Sequence, residues 1–191
     1  MTENVITIDG TLDSSHLETI KKADENEPGI IVMKDVTAGD FNILLALSQY
    51  LLSNFIPFGM ILLGKVEIPG IIILLSHNFA VRFATKEVKM SFDAVSYKNS
   101  YVATWDSKKF DNYFNKLLDE RSSLNPIERK AVSNNSLVLN YNQGYVAGLL
   151  DRQLCLSGFD SNDELSDDFI KERINDVALY KERFMRKSAN L

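Results

Sequence analysis

Ser76 directly precedes His77, and a hydroxyl beside an imidazole is the pairing that nucleophilic catalysis uses. Neighbouring residues on a helix point about 100° apart and do not face each other, so packing is the expected role of this pair. The second histidine, His16, falls in a polar helical stretch and reads as solvated. Cys155 is the one cysteine; it follows an apolar, strand-like stretch, which predicts a buried and unreactive thiol. The acidic run from Asp160 to Asp168 lacks the glycine and glutamate spacing of a calcium loop and reads as a solvated linker. Two distant histidines with no cysteine pair make no zinc site, and no glycine-rich phosphate loop is present. No metal and no cofactor are expected.

A chain of 191 residues fits one large domain. With 45% hydrophobic and 25% charged residues it has the balance of a soluble globular protein, apolar enough to offset the entropy of folding. A net charge of −5 gives no electrostatic support for binding nucleic acid or an anionic membrane. The lone cysteine fits a reducing compartment. Met1 to Asp9 is acidic and lacks the basic-then-apolar order of a signal peptide. A membrane span needs roughly 20 consecutive apolar residues. The best candidate, Phe55 to Leu75, is broken by Lys65, Glu67 and Pro69-Gly70, and reads as two buried elements. The expectation is a cytosolic protein.

The positioning elements follow from periodicity. Val5 to Ile8 reads as a strand ending at Asp9-Gly10, and Asp13-Ser14-Ser15 caps a helix carrying Leu17, Ile20 and Ala23. Gly29 to Met33 is a β-branched run suited to a strand covered on both faces. Asp40 caps a helix with a broad apolar stripe from Phe41 to Leu52, and Phe58 to Leu63 is a third strand closed by Gly64. Ile71 to Leu75 fits strand by propensity and helix by the position of Pro69. Val81 to Ala84 and Val88 to Met90 are short strands about a Thr85-Lys86-Glu87 turn. From Lys108 the chain is mainly helical: Phe110, Tyr113, Phe114, Leu117 and Leu118 share a face, and Asn125-Pro126-Ile127-Glu128 starts another helix. Asn140 to Ala147 forms a short helix stopped by Gly148, and Ser166 caps a last helix. Alternating strands and helices predict a mostly parallel sheet.

Three segments resemble the ClpP/crotonase superfamily, over about Val5 to Asp151. Ile30 to Met33 followed by Val36-Thr37-Ala38-Gly39-Asp40-Phe41 is similar to the strand and "SPGGS" turn of Clp-type peptidases, and to the "SAGAD" turn of enoyl-CoA hydratases. Gly64-Lys65-Val66-Glu67-Ile68-Pro69-Gly70-Ile71, running on to Arg82-Phe83-Ala84, resembles "GMAASMGA…RFA". Ile127-Glu128-Arg129 with Tyr145 to Asp151 resembles "IER…AxxxGLID". The fold so implied is α/β: a ClpP/crotonase-like repeated ββα spiral with a mostly parallel sheet, surrounding helices and a helical C-terminal part. The chain then divides into a ClpP/crotonase-like domain over 1–156 and an acidic linker with C-terminal helix over 157–191.

The resemblance puts Ile68 at the peptidase serine, Ser91 at the histidine and Asn134 at the acid. Isoleucine cannot attack a carbonyl and serine is no base near neutral pH, so the implied triad is degenerate. An oxyanion hole would draw one amide from the Ala38-Gly39 turn and one from Pro69, which has no N–H. Losing such a donor costs about 100- to 1000-fold in rate. A register shift of one would give that place to Gly70. The hydratase base position falls on Ile72.

Three functions compete. The first is a catalytically inactive ClpP-like scaffold or interaction subunit. The second is a crotonase-like enzyme acting on an acyl thioester, for which the spacing from Pro57 to Gly64 and Asn78 fits as well. The third is a peptidase with relocated residues, drawing on Ser76, Ser91 or Ser96 with His77 or Lys89. In Clp-type peptidases the helix matching Lys108 to Glu120 forms the handle between rings, although an aromatic stripe is more often core. A homo-oligomer is expected (trimer, hexamer or ring), with a possible protein partner. The apolar face of the last helix must pack on its own domain or on a neighbour.

Overall fold

The computed structural model describes residues 4–23, 27–54, 58–76, 81–154 and 165–188, with side chains to 180. Strand β1 (Val5–Leu12) and strand β2 (Gly29–Gly39) flank helix α1 (Ser14–Lys22). Helix α2 (Phe41–Ser53) leads to β3 (Phe58–Leu63), β4 (Lys65–Val66) and α3 (Ile68–Ser76). The next unit repeats that order: β5 (Arg82–Thr85), β6 (Lys89–Ser91), α4 (Ala94–Tyr101). Helices α5 (Ser107–Arg121) and α6 (Pro126–Ser133), strand β7 (Val138–Leu139), helix α7 (Tyr141–Val146), strand β8 (Arg152–Leu154) and helix α8 (Asp167–Ser188) complete the chain.

The main sheet runs β1-β2-β3-β5-β8, parallel throughout, and β4-β6-β7 form a second, smaller sheet. Each ββα unit therefore places its first strand in the large sheet and its second in the small one. The two short strands expected about the Thr85-Lys86-Glu87 turn are present, and they belong to different sheets. β5 pairs with β3 and β8, whereas β6 pairs with β4 and β7. The corresponding corner between β3 and β4 is set by Asp35, whose carboxylate accepts from the Lys65 amide at 2.8 Å. Gly64 turns there at φ +64, and a Cβ would collide with that carboxylate.

Strand β1 does not stop at Gly10. It passes a bulge at φ +69 and resumes, so that Thr11 and Leu12 pair with Ala38 and Gly39. Several helix starts match their sequence signals. Asp40 accepts from the amides of Asn42 (2.8 Å) and Ile43 (3.3 Å), and Asn125 forms a capping box with Glu128. His16 is also a capping residue rather than a solvated one. Its Nδ1 accepts from the Asp13 amide at 3.2 Å, and its side chain is 18% exposed. The Asp13 carboxyl is held below its ordinary value, first by the Ser15 hydroxyl and then by the backbone of the same turn.

The core has two separate parts, one on each face of the main sheet. The larger joins the sheet to α1, α2, α3 and α5 through residues such as Ile31, Met33, Leu44, Ile72 and Phe110. Ile71 to Leu75 is helical, every residue of α3 is buried, and the propensity ambiguity is settled by tertiary packing. The smaller part lies under α8, which packs on its own domain through Val177, Phe169 and Ile174. Helix α4, not foreseen from the sequence, has Tyr97 as its one buried residue. Cys155, His77, Pro57, Asn78 and most of the acidic run lie outside the described residues. No helix among the described residues is long and apolar enough to cross a membrane.

Candidate functional site

Of the residues singled out by sequence, Ile68, Pro69 and Gly70 lie at the start of α3, which is tied to β2 through Val36. The Glu67 amide donates to the Val36 carbonyl at 2.9 Å, and the Ile71 amide to Glu67 at 3.0 Å, so Glu67 is the turn into the helix. Ile68 is the first residue of α3 and fully buried. Pro69 follows it, in the turn where a missing N–H costs the helix no hydrogen bond. Gly70 is buried beneath β2: a Cβ would stand 2.5 Å from Val66 Cγ1 and 3.4 Å from Val36 Cβ. The segment therefore presents isoleucine, proline and a closely packed glycine to the interior.

Ala38 and Gly39 are not in a turn. They are the last residues of β2, because β1 continues far enough to pair with them. A Cβ on Gly39 would meet Leu12 Cβ at 3.0 Å. From the other side the Tyr97 hydroxyl donates to the Gly39 carbonyl at 2.9 Å. Burial, followed by the nearby Asp40 carboxylate, holds the Tyr97 hydroxyl well above its ordinary value, so it remains a neutral donor. Tyr97 thus closes the strand end from α4, a role that no sequence motif marks.

Ile68 and Ser91 follow closely on paired strands, Val66 lying beside Met90. Ser91 itself pairs with Val138 and is half-buried. Asn134 ends α6 as an exposed cap, its amide bonded to the Lys130 carbonyl at 3.0 Å. Its neighbour Asn135, at φ 55, accepts from the Val95 amide at 3.1 Å. Asn134 thus serves a helix end and Ser91 a sheet.

Ser76 lies in a buried hydroxyl cluster that periodicity did not reveal. The Ser48 hydroxyl of α2 bonds those of Ser76 on α3 and Tyr113 on α5, and Ser76 donates to the Ile72 carbonyl. Burial raises the Tyr113 hydroxyl above its ordinary value, partly offset by Ser48 and Ser76. These hydroxyls satisfy one another inside an apolar helix layer, which is a structural arrangement. The signal for it was a serine interrupting the apolar stripe of α2. The rest of the α5 stripe is core as well: Phe110 and Phe114 stack at 5.7 Å, and Phe110 meets Phe41 edge-on at 5.4 Å. No group of three or more His, Cys, Asp or Glu able to hold a metal occurs among the described residues.

The chain matches no protein-family model and no curated protein. Its fold is similar to that of ClpP1 from Listeria monocytogenes, with a TM-score of 0.65 over 87% of this chain and 95% of that one. The two are 15% identical in sequence. A likeness of that extent at so low an identity establishes the architecture: this chain has a ClpP-like fold.

Proposed function

We propose that the protein is a catalytically inactive ClpP-like subunit that works by assembly and interaction. The observation that carries this reading is the start of α3, where buried Ile68 offers no nucleophile and Pro69 has no N–H to donate. Two further features support it. The strand end that would face a substrate is paired with β1 and closed by Tyr97. Large apolar side chains stand exposed on β7 of the small sheet and on α7 after it, with Val138 at 53%, Tyr145 at 56% and Val146 at 77%. Such side chains, when grouped, mark surfaces that partners cover.

The test is the mass of the purified protein by light scattering, with and without acyl-CoA, together with labelling by a fluorophosphonate. A stable oligomer indifferent to acyl-CoA and unlabelled is the expected result. Stabilisation by acyl-CoA, read as a raised melting temperature, would replace this reading with the thioester enzyme. Covalent labelling would replace it with a peptidase using relocated residues.

A further inference from the structure

Beside the first turn of α8, two rows of sheet residues form a cleft with two unlike sides. Asp9, Lys34 and Leu63 are partners across β1, β2 and β3, and Thr7 pairs with Val32 two residues earlier. With Leu165 just before α8 and Ile170 in its first turn, they line a cleft of about 290 Å³. The side toward α8 is apolar: Val32 and Leu63 are buried, and Leu165 and Ile170 are half-buried. The side toward β1, the edge strand of the main sheet, carries a hydroxyl, a carboxylate and an ammonium.

These polar groups are underused. The Lys34 side chain is 21% exposed, yet its one partner among the described residues is Asp9 at 4.0 Å, beyond hydrogen-bond reach. A largely buried ammonium whose three donors meet no protein acceptor is costly, and an anion at its Nζ removes that cost. The Thr7 hydroxyl has no hydrogen-bond partner among the described residues, and the Asp9 carboxylate, 63% exposed, has only Lys34. The backbone holds the row in place. Asp9, Lys34 and Leu63 are each followed by a left-handed residue: Gly10 at φ 69, Asp35 at φ 47 and Gly64 at φ 64. The row therefore stands at the line where the sheet bends, pinned by the Asp35 carboxylate on the Lys65 amide. Positive φ at a residue other than glycine is strained, and such strain gathers where ligands are held.

We propose that this cleft binds a free aliphatic α-amino acid. The apolar side accepts a small hydrocarbon body, and the two opposite charges select the head group. A carboxylate alone would meet Lys34 but face Asp9, and an amine alone would meet Asp9 but face Lys34. A zwitterion with both charges on one carbon suits both: its carboxylate accepts from Lys34 and Thr7, and its ammonium donates to Asp9. A branched side chain such as that of leucine then lies against Val32, Leu63, Leu165 and Ile170. The volume stands at the low end of small-molecule sites, about 300–1,000 Å³, and so fits one amino acid rather than a nucleotide. A peptide bond removes one of the two charges, so the site distinguishes a free amino acid from a residue in a chain.

The test is isothermal titration calorimetry of the full chain with L-leucine. It is repeated with 4-methylpentanoate, which lacks the ammonium, and with 3-methylbutylamine, which lacks the carboxylate. Saturable binding of L-leucine with a Kd below about 1 mM is expected, with either analogue at least about tenfold weaker. Lys34→Met keeps the apolar stem and removes the charge, and should weaken L-leucine at least about tenfold. Asp9→Asn, at an exposed position, should abolish the preference for L-leucine over 4-methylpentanoate, and decides alone if Lys34→Met does not fold. No saturable binding up to about 10 mM overturns the proposal. So does a preference for L-leucine that survives Asp9→Asn, and so does 4-methylpentanoate bound as tightly as L-leucine by the parent protein. The calorimetry reads neither oligomer mass nor reaction with acyl-CoA or a fluorophosphonate, so failure here is distinct from failure of the proposed function.

Discussion

The hydroxyl of Tyr97 donates to the carbonyl of Gly39 at 2.9 Å, tying helix α4 to the last residue of strand β2. Both groups are buried, so the bond satisfies a carbonyl and a phenol that would otherwise be desolvated without partners.

Tyr97→Phe removes the donor and leaves the Gly39 carbonyl unsatisfied. A loss of about 1–3 kcal/mol in unfolding free energy is expected, measured by urea denaturation. An unchanged midpoint would show that the bond contributes nothing net.

Alkaline pH should weaken the fold through Tyr97 and Tyr113. Both are held above the ordinary tyrosine value of 10.0, chiefly by burial. Below that value the phenols are neutral in folded and unfolded chains, and stability is fully present. As pH rises past it, the unfolded chain releases protons that the folded chain keeps, so stability falls. Denaturation series at pH 8 and 10.5 should show this loss, and a smaller one in Tyr97→Phe. Parallel loss in both proteins would rule Tyr97 out as a source.

A serine at position 68 is not expected to create a reactive site. Ile68→Ser places a hydroxyl in the fully buried first turn of α3, still followed by Pro69. Expected are no fluorophosphonate labelling and a stability loss of roughly 2–5 kcal/mol, from the lost apolar volume and the buried hydroxyl. Covalent labelling of this variant would mean that a competent base and access already exist nearby.

Gly70→Ala adds one methyl group where Val66 and Val36 leave no room. Helix propensity alone favours alanine by about 1 kcal/mol, so a loss is diagnostic of the close approach of Val66 on β4 to α3. Thermal unfolding should move down; a rise in melting temperature would show that Val66 on β4 can shift to admit the methyl.

Asp40→Ala removes the acceptor for the amides of Asn42 and Ile43 at the start of α2. A cost of about 1 kcal/mol is expected, and Asp40→Asn or Asp40→Ser should recover most of it. Failure of those replacements would locate the effect in charge rather than capping.

Much of this architecture was legible in the order of residues. Caps and turn residues act through their own backbone neighbours, which is why Asp13, Asp40, Asn125 and Asn140 marked helix starts correctly and Gly64 and Gly148 marked the turns. A continuous β-branched run identified β2 as a strand covered on both faces, Phe58 to Leu63 read as a third strand, and the alternation of elements implied a parallel sheet. The quoted segments pointed to the ClpP-like fold that the structural comparison supports. What lay beyond reach were the relations between distant segments. That β5 and β6 join different sheets depends on which strands come to lie beside them. That Ala38 and Gly39 are strand rather than turn depends on β1 resuming after its bulge, a pairing made with residues far along the chain. The bond from Tyr97 to Gly39, the hydroxyl cluster of Ser48, Ser76 and Tyr113, and the seat of Val177 on Gly59 are likewise contacts across space. Local propensity and capping are written in neighbouring residues, whereas pairing, closure and docking are chosen by packing among elements, and only the folded chain brings those together.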